Sequence, residues 1–366
     1  MLRTAVVWRV AATFWTVICL AGAARPLRAE PWPCDVRTAD RIVAIGDVHG
    51  AYDQFTALLR AARLVDERER WIGGRATLIQ TGDVLDRGPD SRRVVDLLRK
   101  LEREAPRRRG RVIALLGNHE LMRLIGDWRY VSRGEYEAYR TSASGDVRDR
   151  TLDRLVSHGA ARAKHERTVF DAAAFREQFE RDTPLGALEM RLAFDARGDH
   201  GQWVRTRPTV GRVNGLVFVH GGVSESIASL GCEGINDIVR KEIASLPWPP
   251  EQVTSLTATS ETGPLWYRGL VLEPEARLAQ TIDGILDRMR ARAIIVGHTA
   301  LLPGRIATRL GGRVVQIDSG MLGGLFFPGG VPSALEVAGD QWTAIYVDRR
   351  EPVPAPALQP SGVAVR

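Results

Sequence analysis

Residues 41–50 read Arg-Ile-Val-Ala-Ile-Gly-Asp-Val-His-Gly. An apolar run rich in Ile and Val stops at a glycine, and a carboxylate and an imidazole follow two positions apart. A run this short, bounded by glycine, predicts a buried strand rather than a helix. The same pattern recurs outward from this stretch, with apolar runs at 76–80, 112–116, 216–219, 293–296, 314–317 and 343–347. Between several of them, the stretches 52–63, 91–104 and 276–290 repeat apolar residues every three or four positions, as a helix packing one face on a core does. Strands alternating with such helices predict an α/β fold.

Five of these runs end in polar clusters: Gly46-Asp47-Val48-His49-Gly50, Gly82-Asp83-Val84-Leu85-Asp86-Arg87-Gly88, Gly117-Asn118-His119-Glu120, His220-Gly221-Gly222 and Gly297-His298-Thr299. Ligand sites in open α/β sheets form beyond the carboxyl ends of the strands, so the clusters converge if the strands are parallel neighbours. Carboxylates, imidazoles and an amide oxygen, with no thiolate among them, form a donor set suited to Mn, Fe or Zn. Asp47 and His49 can hold a first ion, Asp83 can bridge, and Asn118, His220 and His298 can complete a second. Two such ions activate a bridging water and clamp the oxygens of a phosphoryl group. Arg87, four residues after the bridging carboxylate, supplies a guanidinium fork for phosphate oxygens, and Arg268 in Gly-Pro-Leu-Trp-Tyr-Arg-Gly (263–269) is a second candidate. His119 can protonate the leaving oxygen, with Asp86 holding its ring. Trp266 and Tyr267 either line the pocket or belong to the core.

The ordered set of these five motifs resembles the calcineurin-like metallophosphoesterases. The glutamate after Gly-Asn-His resembles their phosphoprotein phosphatase branch. The exported leader, Asp-Arg-Gly followed by Pro-Asp-Ser, the 263–269 segment, Gly-His-Thr and Ile-Asp-Ser-Gly (317–320) resemble the bacterial Shewanella-like protein phosphatases within it. The resemblance implies a four-layer αββα sandwich over about 38–348 and a dinuclear centre of Mn, Fe or Zn type. It also implies hydrolysis of phosphomonoesters by direct attack of a metal-bridging hydroxide, without a phosphoenzyme. It matches Asp47, His49, Asp83, Asn118, His220 and His298 to metal ligands, Arg87 and Arg268 to phosphate binders, and His119 with Asp86 to the acid pair. The interval from His119 to His220 is longer than in compact eukaryotic members.

The stretch 122–209 is polar and helical in period at 151–156 and 172–179, which predicts a helical insertion over the core. At the front, Arg3 and Arg9 precede an apolar run over 10–24 with small residues at 21–23 and Ala29 beyond, the pattern of a cleaved signal peptide of about 29 residues. An exported, periplasmic or secreted protein is expected, with an uncleaved inner-membrane anchor as the alternative. The run is short for a membrane span, which needs about 20 residues. Cys19 has no small residue before it, against lipid attachment. Cleavage leaves Cys34 and Cys232, either paired or as two thiols. At the other end, 352–360 holds four prolines in nine residues and reads, with the rest of 349–366, as a disordered tail.

With 366 residues, 44% of them hydrophobic, the composition excludes wholesale disorder, a collagen-like chain and a small disulfide scaffold. The net charge of +7 is spread over arginines along the chain, so no nucleic-acid partner is expected. The expected partner is a phosphorylated protein, on Tyr or Ser/Thr, or a small phosphomonoester, and no stable membrane insertion is expected. The competing readings are a small-molecule phosphatase or dinucleoside polyphosphate hydrolase, and a phospho-ligand binding module on a phosphatase scaffold. The binding module predicts a missing ligand or acid, and none is missing.

Overall fold

The computed structural model describes residues 34–248, 253 and 255–356. The chain enters through β1 (Asp35–Val36) and β2 (Ile42–Ile45), then crosses through α1 (Tyr52–Ala61) to β3 (Thr77–Gln80) and through α2 (Ser91–Glu104) to β4 (Arg111–Ala114). Strands β2, β3 and β4 pair in parallel in that order. Each of these strands is buried on both faces, which is why it reads as an unbroken apolar run.

After β4 come α3 (Asn118–Ile125), α4 (Arg133–Tyr139), α5 (Ser144–Glu166), α6 (Ala172–Asp182), α7 (Ala187–Phe194) and α8 (Asp199–Arg205). Among the described residues the regular elements between 122 and 209 are all helices. It is anchored through Glu135, Met190, Phe194 and Trp203, all buried, whereas no side chain of α6 is buried.

The chain then forms a second sheet from β5 (Val210–Val213) and β6 (Leu216–Val219). It continues through α9 (Glu225–Ala228), α10 (Gly231–Ala244), α11 (Gly269–Leu272) and α12 (Glu275–Met289) to β7 (Ala293–Val296), β8 (Ala307–Arg309) and β9 (Val314–Gln316). Its order is β1-β5-β6-β7-β9-β8, with β6, β7 and β9 parallel. The first sheet is completed by β10 (Ser333–Ala338), β11 (Gln341–Tyr346) and β12 (Arg350–Pro352) on the far side of β2.

Alternation along the strands makes four layers. Ile42 and Ala44 of β2 pack in one cluster with Phe218 of β6 and Ile295 of β7, between the sheets. Val43 and Ile45 face Phe55 and Leu58 of α1 and Leu98 of α2. Val217 and Val219 of β6 face Ile235 of α10 and Ile282 of α12. The order helix, sheet, sheet, helix is the expected αββα sandwich. Burying each of these large side chains stabilises the fold by about 1.5–3 kcal/mol.

Two expectations need adjustment. The C-terminal stretch read as a tail from 349 begins as structure, because Arg350–Pro352 pairs antiparallel with β11 and extends the sheet edge. Backbone pairing at an open edge holds these residues despite the prolines that follow. The motif-bearing strands also belong to two sheets, three in one and two in the other, rather than to one run of neighbours. Residues 357–366 and the predicted signal peptide lie outside the described residues. Cys34 and Cys232 form a disulfide with their Cα atoms 6.0 Å apart, tying the start of the described chain to α10. Among the described residues no helix is long and apolar enough to cross a membrane.

Candidate metal centre

The five polar clusters meet where the carboxyl ends of β2, β3 and β4 face those of β6 and β7. The backbone bends sharply to achieve this. His49, Asp83, Asp86, Arg87 and His298 all have left-handed φ, between 47° and 69°. That conformation is costly for residues with a Cβ and persists where surrounding structure imposes it. Glu120 supplies much of the restraint. Its carboxylate accepts from the backbone N–H groups of Asp83 (2.7 Å), Val84 (2.9 Å), Leu85 (3.2 Å) and Gly117 (2.8 Å), lacing the loop after β3 to the start of α3. Gly117 has no alternative here, since a Cβ on it would overlap the amide and carboxylate of Asp83.

Hydrogen bonds fix which ring nitrogens face inward. His49 Nδ1 lies 2.9 Å from the Leu85 carbonyl and His220 Nδ1 lies 3.0 Å from the Thr81 carbonyl. A carbonyl only accepts, so each Nδ1 carries the proton and each Nε2 turns a lone pair to the centre. Around His220 Nε2 stand Asn118 Oδ1 at 2.8 Å, His298 Nδ1 at 3.1 Å and Asp83 Oδ1 at 3.3 Å. Around His49 Nε2 stand Asp83 Oδ2 at 3.7 Å and Asp47 Oδ2 at 3.8 Å. Asp83 therefore lies between two groups, His49 with Asp47 and His220 with Asn118 and His298. His298 Nε2 is buried with no hydrogen-bond partner.

The electrostatics agree. Burial, with repulsion from Asp318 and Asp83, pushes the Asp47 carboxyl well above the usual range. Burial opposes ionisation of Asp83 too, but His220 and His119 outweigh it and hold Asp83 well below. Burial drives His49 down to about 3, leaving it neutral. Imidazole lone pairs and carboxylate oxygens thus converge in a buried centre. Such a donor set fits divalent cations, with neutral imidazole, carboxylate and amide oxygen as ligands.

His119 takes a different position. Its Nδ1 lies 2.7 Å from Asp86 Oδ2, and its Nε2 lies 3.8 Å from Asp83 Oδ2. Although burial lowers its basicity, Asp83 and Asp86 raise its pKa above the ordinary histidine value. Behind it, Asp86 Oδ1 is held by Arg123 Nη2, which also lies 3.1 Å from Glu135 Oε2. Asp86, Arg123 and Glu135 are all buried.

Arg87 touches His49 Nε2 through Nη1, and its guanidinium sits between the rings of Tyr130 (5.5 Å) and Phe327 (5.2 Å). Arg268 Nη1 donates to the His298 carbonyl at 2.8 Å. With His119, Tyr130 and Trp266, the two arginines line a cavity of about 200 Å³ beside Asp83, Asn118 and His298. All ten residues singled out in the sequence are thus brought together. Of the aromatic pair, Trp266 lines this cavity, whereas Tyr267 packs in the second helical layer with its hydroxyl 3.0 Å from Glu273.

Sequence reading missed Arg123, Glu135 and Asp318. Arg123 and Glu135 lie in the polar insertion with no motif around them. Asp318 sits in Ile-Asp-Ser-Gly (317–320), where the sequence alone points to no chemistry. It is buried with one carboxylate oxygen unpartnered, and burial raises its pKa to about 6.

Residues 40–301 match the model of the calcineurin-like phosphoesterase family. The chain is 29% identical over 317 residues to Shewanella-like protein phosphatase 2 of Arabidopsis thaliana, covering 84% of this chain and 77% of that protein. It is 28% identical to Shewanella-like protein phosphatase 1 of Plasmodium berghei, covering 78% and 68%. Among solved structures it is similar to the cold-active protein-tyrosine phosphatase of a psychrophilic Shewanella species, with a TM-score of 0.65, 25% identity, and coverage of 87% and 82%. Sequence span, sandwich and convergent donor set agree, and the chain belongs to the calcineurin-like phosphoesterase family.

Proposed function

We propose that this phosphoesterase is an exported, metal-dependent phosphatase that hydrolyses phosphomonoesters on proteins, at Tyr or Ser/Thr. Asp47, His49 and Asp83 would hold one divalent ion, and Asp83, Asn118, His220 and His298 a second, with Mn first and Fe or Zn as alternatives. When bound, such a pair activates water and neutralises charge on the transferring phosphoryl group.

The remaining work falls to the chain itself. Arg87 and Arg268 orient the phosphate by paired N–H donors. The Tyr130 and Phe327 rings keep Arg87 in place. His119 holds a proton at Nε2 and delivers it to the leaving oxygen, while Asp86 keeps Nδ1 occupied and the ring turned. Arg123 and Glu135 position Asp86. Aromatic walls at Tyr130 and Trp266 suit an aryl ester, and the similar structure above is that of a protein-tyrosine phosphatase. A disulfide persists in oxidising compartments, which supports export.

The observation that carries the reading is the His119 and Asp86 pair set beside two groups of inward-facing ligands that share Asp83. The test is hydrolysis of p-nitrophenyl phosphate by mature chain stripped of metal and then resupplied with Mn²⁺, with Asp83→Asn as control. Activity that returns with metal in the native chain alone supports the reading. Folded, metal-loaded protein that stays silent overturns it. Phosphotyrosine and phosphoserine peptides then rank the substrates.

A further inference from the structure

Helix α3 begins at the metal centre and ends in a second cavity, of about 430 Å³, formed where the helical insertion meets the core. Trp128, Phe194, Leu246 and Trp248 line it, together with Arg191 of α7 and Arg205 of α8. The Arg123 guanidinium lies under this cavity, 5.4 Å from the Trp128 ring and 5.0 Å from the Phe194 ring.

The polar groups here are unevenly satisfied. Arg123 is buried, yet its Nε has no hydrogen-bond partner, and neither has the buried Nε of Arg205. Arg205 makes one bond, from Nη1 to the Ile243 carbonyl at 3.2 Å. Among the described residues, neither Arg191 nor Arg205 has a carboxylate within ion-pair distance, and Asp195 is the one acidic residue among those lining the cavity. A buried guanidinium N–H left without an acceptor is costly, so such groups are normally satisfied by protein, water or ligand. Aromatic walls and cationic donors lining one cavity match a planar apolar body bearing one anionic group.

We propose that this cavity is a binding site for an organic monoanion with a flat apolar body, an aryl carboxylate in chemical class. Arg205 and Arg191 hold its charge, and Trp128 and Trp248 hold its body. The site is linked to the phosphoesterase centre through one side chain. Arg123 lines the cavity and, through Nη2, holds Asp86 Oδ1, whose other oxygen orients His119. Occupancy that shifts Arg123 therefore shifts the seating of the acid. This gives the insertion a role, since α7 and α8 contribute much of the cavity.

The probe is 2-naphthoate, titrated into the metal-stripped mature chain by calorimetry, with inorganic phosphate in excess and with neutral 2-naphthamide as the uncharged counterpart. Binding is read without any catalytic turnover. Naphthoate is expected to bind with phosphate present, about tenfold more tightly than the amide, and to lose about tenfold in affinity in Arg205→Gln and again in Arg191→Gln. Arg191 is exposed, so its variant remains informative if Arg205→Gln melts early. Equal affinity for the amide, displacement by phosphate, or unchanged affinity in both variants would overturn the site. In the metal-loaded enzyme, saturating naphthoate is expected to change kcat for p-nitrophenyl phosphate without changing KM. Competitive inhibition would overturn the site, and an unchanged kcat would overturn the link to Asp86.

Discussion

Asp86 accepts from His119 Nδ1 at 2.7 Å through one oxygen while Arg123 holds the other, so a single buried carboxylate joins the reacting cavity to the cavity behind it. Burial favours a protonated Asp86, yet the His119 hydrogen bond and the Arg123 charge hold its pKa below the usual carboxylate value. The Nδ1 bond therefore fixes the orientation of the imidazole, which lines the cavity beside Asp83.

In the proposed mechanism the proton for the leaving oxygen comes from His119. In His119→Asn, hydrolysis of an alkyl phosphate, which needs a protonated leaving oxygen, is expected to fall by about 10²–10⁴ in kcat. Hydrolysis of p-nitrophenyl phosphate, whose leaving group departs unaided, should fall far less. Equal losses on the two substrates would remove His119 from the acid role.

Asp83 stands between the two groups of ligands, and its substitution should empty both. Elemental analysis of Asp83→Asn after dialysis is expected to show loss of both ions, whereas Asp47→Asn should preferentially lose one. Retention of one full equivalent in Asp83→Asn would show that it does not bridge.

The layers and the motifs were legible because their causes are local. Strands β2, β3, β6 and β7 are buried on both faces and so announce themselves as apolar runs, and the ligands follow them within a few residues. Other elements lack that signature. β5 is Val-Gly-Arg-Val and β8 is Ala-Thr-Arg, with intermediate exposure along much of their lengths. β10 carries Glu336, whose carboxylate bonds Arg41 of the strand entry and Arg350 of β12. Its polarity is explained only by partners far away in sequence. The same holds for Arg123 and Glu135, whose pairing with Asp86 depends on how α3 and α4 pack. Pairing of Cys34 with Cys232 across 198 residues likewise needed the fold.

Glu120 has a structural task that a single oxygen cannot perform, since four amides converge on its two. In Glu120→Gln the new amide group faces N–H donors of Asp83 and Gly117 or of Val84 and Leu85. Leaving such donors unsatisfied costs roughly 1–3 kcal/mol each. Urea unfolding is expected to show a loss of about 3 kcal/mol, with weaker metal retention because the loop carrying Asp83 is released. Native stability and metal content in this variant would show that the four bonds do not hold the loop.

The disulfide makes the most direct prediction about where the protein works. Cys34 and Cys232 sit among the apolar residues packed between the second sheet and its helices, apart from the metal centre. Chain cleaved before Cys34 and purified without reductant should show no free thiol in denaturant, and two after reduction. Cys232→Ser is expected to lose about 2–5 kcal/mol of stability, because the cross-link restrains the unfolded chain. Activity per folded molecule on p-nitrophenyl phosphate should persist. Reduced native chain should then also lose stability, since it too lacks the cross-link. Two free thiols in unreduced protein recovered from an oxidising compartment would contradict both the pairing and the stabilisation, and would remove the disulfide as support for export.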